Sequence, residues 1–200
     1  MNKIPLETIE EFLKVKILPD LEKSRGGFDK IHTLEVVDWL KKIIDHNPDL
    51  KLDRVVLVIA AYSHDWGYAG LFKENEVIPF ESIENAKKLH MELGAKKIKR
   101  LLNDQIFSGL SSKQKERCIH LVAVHDKKFE ISETDELVLM EADMLNGMDI
   151  DTEKPKRDAE FNKKYMHSLM TTRMPKFITD YGKAEAKKLI ARRIEYFENK

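Results

Sequence analysis

Apolar residues recur every three or four positions along almost the whole chain, and no stretch alternates in period two between hairpin turns. That spacing calls for helices that bury one face, and it leaves no segment patterned as a strand. The expectation is an all-α chain. At 200 residues it holds enough apolar material for one core and too little for two, so a single-domain compact helical bundle over 1–200 is predicted.

The pattern places a first helix in "LETIEEFLKVKILPDLEK", loosened at Pro19, and a break at Gly26 and Gly27. A second helix, "FDKIHTLEVVDWLKKII", carries Phe28, Ile31, Val36, Trp39 and Ile43 on one face. The third, "DRVVLVIAAYSHD", is apolar on most sides and therefore central. After a loop over 66–80, a fourth helix is expected from an N-cap at Ser82 to Leu102. A fifth opens on the capping-box pair Ser111 and Gln114 and ends near His125, and a sixth starts from an N-cap at Thr134. A charged crossing, "DIDTEKPKRDAEFNKKY", and a "DYG" break then lead to a last helix, "KAEAKKLIARRIEYFEN".

The third helix raises a chemical question, because its apolar run "VLVIAAYSHDWGYAG" ends in adjacent His64 and Asp65. A carboxylate taken out of water needs a partner, either a hydrogen-bonded neighbour or a cation. Other polar residues share its setting. His32 lies between Phe28 and Val36 at helical spacing, His90 between Ala86 and Gly94, and His125 follows Leu121 and Val122. Asp143 follows Leu139 and Met140, with Asn146 and Gly147 on the same side. His120 sits on a mostly polar side beside Glu116 and Arg117, His46 falls in a turn, and His167 falls in the charged crossing. Inward imidazoles and carboxylates on several helices are satisfied together by a divalent cation.

Composition narrows the partners. Lys plus Arg and Asp plus Glu number 35 each, so no net field draws the surface to a nucleic acid polymer or a membrane. Cys118 is the single cysteine, which excludes an internal disulfide framework and a Cys-rich zinc cluster and suits a reducing cytosol. With no cleavable leader pattern and no uncharged run of about 20 residues, a cytoplasmic location is expected.

The order His32, His64–Asp65, His90, His125, Asp143 resembles the HD superfamily of metal-dependent phosphohydrolases. "IHTLEVVDWL" is similar to the family's first ligand helix and "AAYSHDWGY" to its signature. "LHMELGAKKI" and "LVAVHDKK" are similar to the histidine helices of binuclear members, and "LMEADMLNGM" to the segment supplying the last aspartate. The resemblance implies a metal-ligand core over about 28–148 and a C-terminal helical segment over about 155–200. It also implies His32, His64, Asp65 and Asp143 around one ion, with Asp65 bridging to a second held by His90 and His125. One departure stands out: where many relatives carry a basic residue soon after the doublet, this chain has Trp66 and Tyr68. Asp126, in a second doublet with His125, reads as solvated or as a supporting group.

The implied activity is hydrolysis of a phosphoester or phosphoanhydride in a small phosphorylated compound, a nucleotide, with metal-bound hydroxide as nucleophile and His64 and Asp65 at the chemistry. Imidazole and carboxylate donors fit one or two ions of Mn, Fe, Co, Ni, Zn or Mg. Arg25, Lys30, Lys127, Lys128 and Arg173 are the candidate phosphate contacts, and Trp66, Tyr68 and Phe72 can wall a pocket and stack a base. Two alternatives use the same residues: a di-iron oxygenase, and a catalytically silent helical module that binds a nucleotide or a partner.

Overall fold

The computed structural model describes residues 4–71, 80–151 and 159–198, the side chains of 80–84 excepted. Among them all regular structure is helical, in the order α1 Leu6–Glu22, α2 Phe28–His46, α3 Arg54–Ser63, α4 Phe80–Leu101, α5 Ser112–Val124, α6 Thr134–Met148, α7 Ala159–Ser168 and α8 Asp180–Glu198. The chain is all-α, as its periodicity predicts.

Central α3 is nearly invisible to solvent: every residue from Val56 to Ser63 is buried. It can be so apolar because neighbours cover it on all sides, with α1, α2 and α5 packed against it. Each aliphatic side chain it buries contributes about 1.5–3 kcal/mol. Asp53 starts α3 by accepting a hydrogen bond from the Val56 amide. Around this axis α6 packs on α2, α4 on α5, and α8 on α6.

Several boundaries differ from the pattern for local reasons. Ser82 lies inside α4, which is already helical at Phe80, and is therefore not its N-cap. Glu133 rather than Thr134 caps α6, because the Glu136 carboxylate turns back to accept from the Ser132 and Glu133 amides. The "DYG" segment is the first turn of α8 and not a break. There the buried Glu141 carboxylate of α6 accepts from the Ile178 and Thr179 amides and the Thr179 hydroxyl, which satisfies groups that a helix start leaves without intrahelical partners. Ile31, placed on the inward face of α2, is 53% exposed, while Val36, Trp39 and Ile43 are buried. The expected capping box of α5 is present in full, Ser111 and Gln114 each holding the other's backbone. No described helix is long and apolar enough to cross a membrane.

Candidate metal centre

Two glycines bring the site's walls together. After α3 the chain tightens into a 3₁₀ turn, Trp66–Tyr68, packed directly on α4. A Cβ at Gly67 would overlap the His90 carbonyl and lie 2.7 Å from the Gly94 amide nitrogen, while one at Gly94 would lie 3.0 Å from Val122. Hydrogen at both positions lets the backbone after Asp65 touch the backbone of α4. His90 is thereby delivered beside Asp65.

Six side chains from five places converge: His32 from α2, His64 and Asp65 from the end of α3, His90 from α4, His125 just past α5, and Asp143 from α6. They form two donor groups, His32 with His64 and Asp143, and Asp65 with His90 and His125. Within each group the donor atoms lie within 4.8 Å of one another. Asp65 faces both. Its Oδ1 is 3.5 Å from Nε2 of His90 and of His125, and its Oδ2 is 3.6 and 3.7 Å from Nε2 of His32 and of His64. Asp143 Oδ1 is 3.3 Å from His32 Nε2.

The imidazoles are oriented by their outer nitrogens. Nδ1 of His64, His90 and His125 faces the carbonyl of Ala61, Ala86 and Val122 at 2.7, 3.2 and 2.8 Å, and Nδ1 of His32 faces the Asn146 amide oxygen. A carbonyl can only accept, so Nδ1 carries the proton and a neutral ring presents a bare Nε2 to the centre. Those nitrogens meet at 3.1 Å between His32 and His64 and at 3.0 Å between His90 and His125. Facing lone pairs repel unless a proton or a cation lies between them. Together with two carboxylates and no thiolate, this donor chemistry fits a divalent cation.

The charges divide the four rings: His64 and His90 are held neutral, whereas the neighbouring carboxylates outweigh burial and raise His32 and His125 toward the protonated form that a bound cation would replace. Burial opposes charge on Asp65, yet His64, His125 and Arg25 outweigh it and hold the carboxyl well below the usual carboxylate range. Asp143 is held low against burial by Lys128 and His32. Burial pushes His64 down, and burial with neighbouring His125 takes His90 down to about 4. At His32 burial is outweighed by the contact with Asp143 and by the field of Asp65, and its pKa rises to about 8.

A family model for the HD domain matches residues 30–155, which include all six converging side chains. The chain belongs to the HD domain family. No curated protein and no solved structure matches it significantly. Membership places this HD domain in a family of metal-dependent hydrolase type.

The secondary candidates sort by position. Arg25, at a φ of 45°, sends Nη2 to Asp65 Oδ2 at 2.9 Å and Nε to buried Asp29 at 2.6 Å. Its guanidinium lies 3.9 Å from the Tyr68 ring centre, and Tyr68 stacks on His90 at 4.0 Å. Lys128 is half-buried between Asp126 at 3.1 Å and Asp143 at 3.0 Å. That pairing makes Asp126 a supporting group, the second of its two sequence readings. Arg173 lines a cleft with Lys128.

Three candidates lie elsewhere. Lys30 reaches back 2.9 Å to Glu22 and Lys127 pairs with Glu130 at 3.8 Å, both on the surface. Trp66 belongs to the core and donates its indole N–H to Asp20 of α1 at 2.8 Å, so it does not wall the centre. Phe72 lies outside the described residues. His120 is engaged by Glu136 at 2.6 Å, away from the centre. Sequence reading passed over Asp29, whose place three residues before His32 on the same face was the available signal, and Lys87, one turn before His90.

Proposed function

We propose that this HD domain is a phosphohydrolase that cleaves a phosphoester or phosphoanhydride bond in a small phosphorylated compound, a nucleotide. One observation carries the reading: the two oxygens of Asp65 face two separate sets of imidazole nitrogens, an arrangement suited to a bridging carboxylate between two divalent ions. His32, His64 and Asp143 would hold one ion, and His90 and His125 the other, with Asp65 shared. Divalent ions so placed supply Lewis acidity toward phosphoryl oxygens and make water acidic enough to serve as a nucleophile near neutral pH.

The chain's own groups account for orientation. Asp65 stays ionised, so its carboxylate is an acceptor that orients a nucleophilic water and does not compete for its proton. Arg25 fixes the rotation of that carboxylate through Oδ2. Lys128 places a positive charge against Asp143, where phosphoryl oxygens gain a donor at the edge of the centre. Tyr68, stacked on His90, keeps that ring in its plane. The oxidative reading uses the same ligands, but nearby Arg173, with no ion pair among the described residues, favours an anionic substrate.

Metal analysis of the purified protein, followed by a panel of phosphomonoesters, cyclic nucleotides and nucleoside polyphosphates under each metal, tests the proposal. His64→Ala and Asp65→Ala should abolish hydrolysis with helical circular dichroism unchanged. Chelation should remove activity and a divalent ion should restore it. Full activity with ordinary metal content in both variants refutes the assignment, and a visible absorption change when iron-loaded protein meets oxygen supports the oxygenase instead.

A further inference from the structure

A second feature adjoins the centre. Lys87, Lys88 and Met91 of α4, Asp126, Lys128 and Phe129 after α5, and Arg173 line a cleft of about 340 Å³. That volume is within the range of small-ligand sites, about 300–1,000 Å³. It meets the metal centre through Lys128, whose ammonium lies 3.0 Å from Asp143.

Among the described residues the cleft carries a net positive charge, Lys87, Lys88, Lys128 and Arg173 against Asp126 and the adjoining Asp143. Lys128 is neutralised by Asp126 and Asp143. Lys87, Lys88 and Arg173 make no ion pair or hydrogen bond among the described residues, and they come from two separate elements. Arg173 ends a five-residue π-helical turn, Leu169–Arg173, continuing α7. Such turns are infrequent and are often found at functional sites. Three like charges gathered in one concavity repel one another, and an anion relieves the repulsion. Beside them Phe129 is 75% exposed, with the Lys176 ammonium 5.8 Å from its ring centre. Adjacent cations and an exposed aromatic face suit a ligand that joins phosphate to a planar base.

Building on the phosphohydrolase reading, we infer that this cleft receives a second anionic group of the substrate. The compound then carries two or more phosphates, one at the metal centre and the next between Lys87, Lys88 and Arg173, with its base against Phe129. The substrate class is a nucleoside polyphosphate and not a nucleoside monophosphate.

Calorimetric titration of the metal-loaded protein, magnesium in excess, with the β,γ-imido analogue of ATP and with AMP tests this without turnover at the imido linkage. The analogue should bind about tenfold more tightly or better, one or more added charge-assisted contacts being worth at least that factor. Lys87→Gln/Lys88→Gln and Arg173→Gln should each remove most of that advantage, whereas Lys96→Gln/Lys99→Gln, the same charge loss further along α4, should keep it. Phe129→Ala should weaken both nucleotides and leave inorganic tripolyphosphate unaffected. Melting temperature and circular dichroism report the fold of each variant.

Equal affinity for the two nucleotides in the wild type, or an undiminished advantage in both cleft variants, overturns the inference. Hydrolysis of p-nitrophenyl phosphate, a monoester with no second phosphate to place between Lys87, Lys88 and Arg173, is the separate readout for the metal centre. Turnover without the polyphosphate preference overturns the cleft alone. The preference without any metal-dependent turnover overturns the hydrolase reading and leaves a polyanion-binding cleft.

Discussion

Gly67→Ala should damage both stability and the centre, because the added methyl has nowhere to go. Built on the native backbone, its Cβ lies 2.6 Å from the His90 carbonyl carbon and 2.7 Å from the Gly94 nitrogen. Carbon atoms in contact sit about 3.5–4.0 Å apart, so α4 must withdraw by about 1 Å. The obstructing atoms are backbone, and no rotamer change relieves them. Overpacking of this kind costs about 1–3 kcal/mol, and more where backbone must move. A loss of about 3 kcal/mol is expected here. For a chain of this size that lowers the melting temperature by about 6–12 °C.

The same displacement carries His90 away from Asp65 and His125, while His32, His64 and Asp143 sit on other helices. Metal titration of Gly67→Ala should therefore lose the ion that depends on His90 and retain the other. Gly109→Ala is the control, since nothing lies within 4 Å of its Cβ. Removing glycine's freedom there should leave stability unchanged or raise it by about 0.4–1 kcal/mol. A melting temperature for Gly67→Ala within about 2 °C of wild type, with full metal binding, would refute the argument.

Metal titration of His90→Ala or His125→Ala should show one ion where the wild type binds two; a stoichiometry of one in all three would leave a mononuclear centre. Burial pushes the Cys118 thiol up to about 12, so at pH near 8 it should resist a thiol reagent in the native protein and react fully once unfolded, and prompt native reaction would refute the packing of α5 on α3. The same shift has a stability sign. Below about 9 the thiol is neutral in both states, and as pH rises toward 12 the unfolded thiol ionises first. Wild type should lose stability relative to Cys118→Ala through that window, by up to about 1.4 kcal/mol per pH unit, and parallel curves would count against it. Gly182→Ala should destabilise the contact of α6 with α8, because its Cβ would collide with the Glu141 carboxylate and lie 2.7 Å from Thr179 Oγ1; thermal melting equal to wild type would contradict this.

What could be read from the sequence was whatever depends on neighbours three or four residues away. The burial of α3 follows from an unbroken apolar run, and the cap of α5 from Ser111 and Gln114, both local facts. The inward facing of His32, His90, His125 and Asp143 likewise needed only the side chains one turn before and after each. Local spacing says which side of a helix a residue occupies and nothing about what stands opposite. That is why Lys30, close to a ligand along the chain, points to Glu22 instead, and why Trp66 turns from the doublet to Asp20.

Tertiary structure alone decided the contacts between distant segments. Asp65 can face two sets of imidazoles only because Gly67 and Gly94 admit α4 to backbone contact. Lys128 acquires its place from Asp143, 15 residues away, and Arg173 joins Lys87 and Lys88 across separate helices. The spacing of apolar and polar residues determined that this chain is a helical bundle with a polar interior cluster, since burial acts on each helix face separately. Which of those polar groups share an ion, and which cations are left over to meet a substrate, depends on packing distances that no single helix contains.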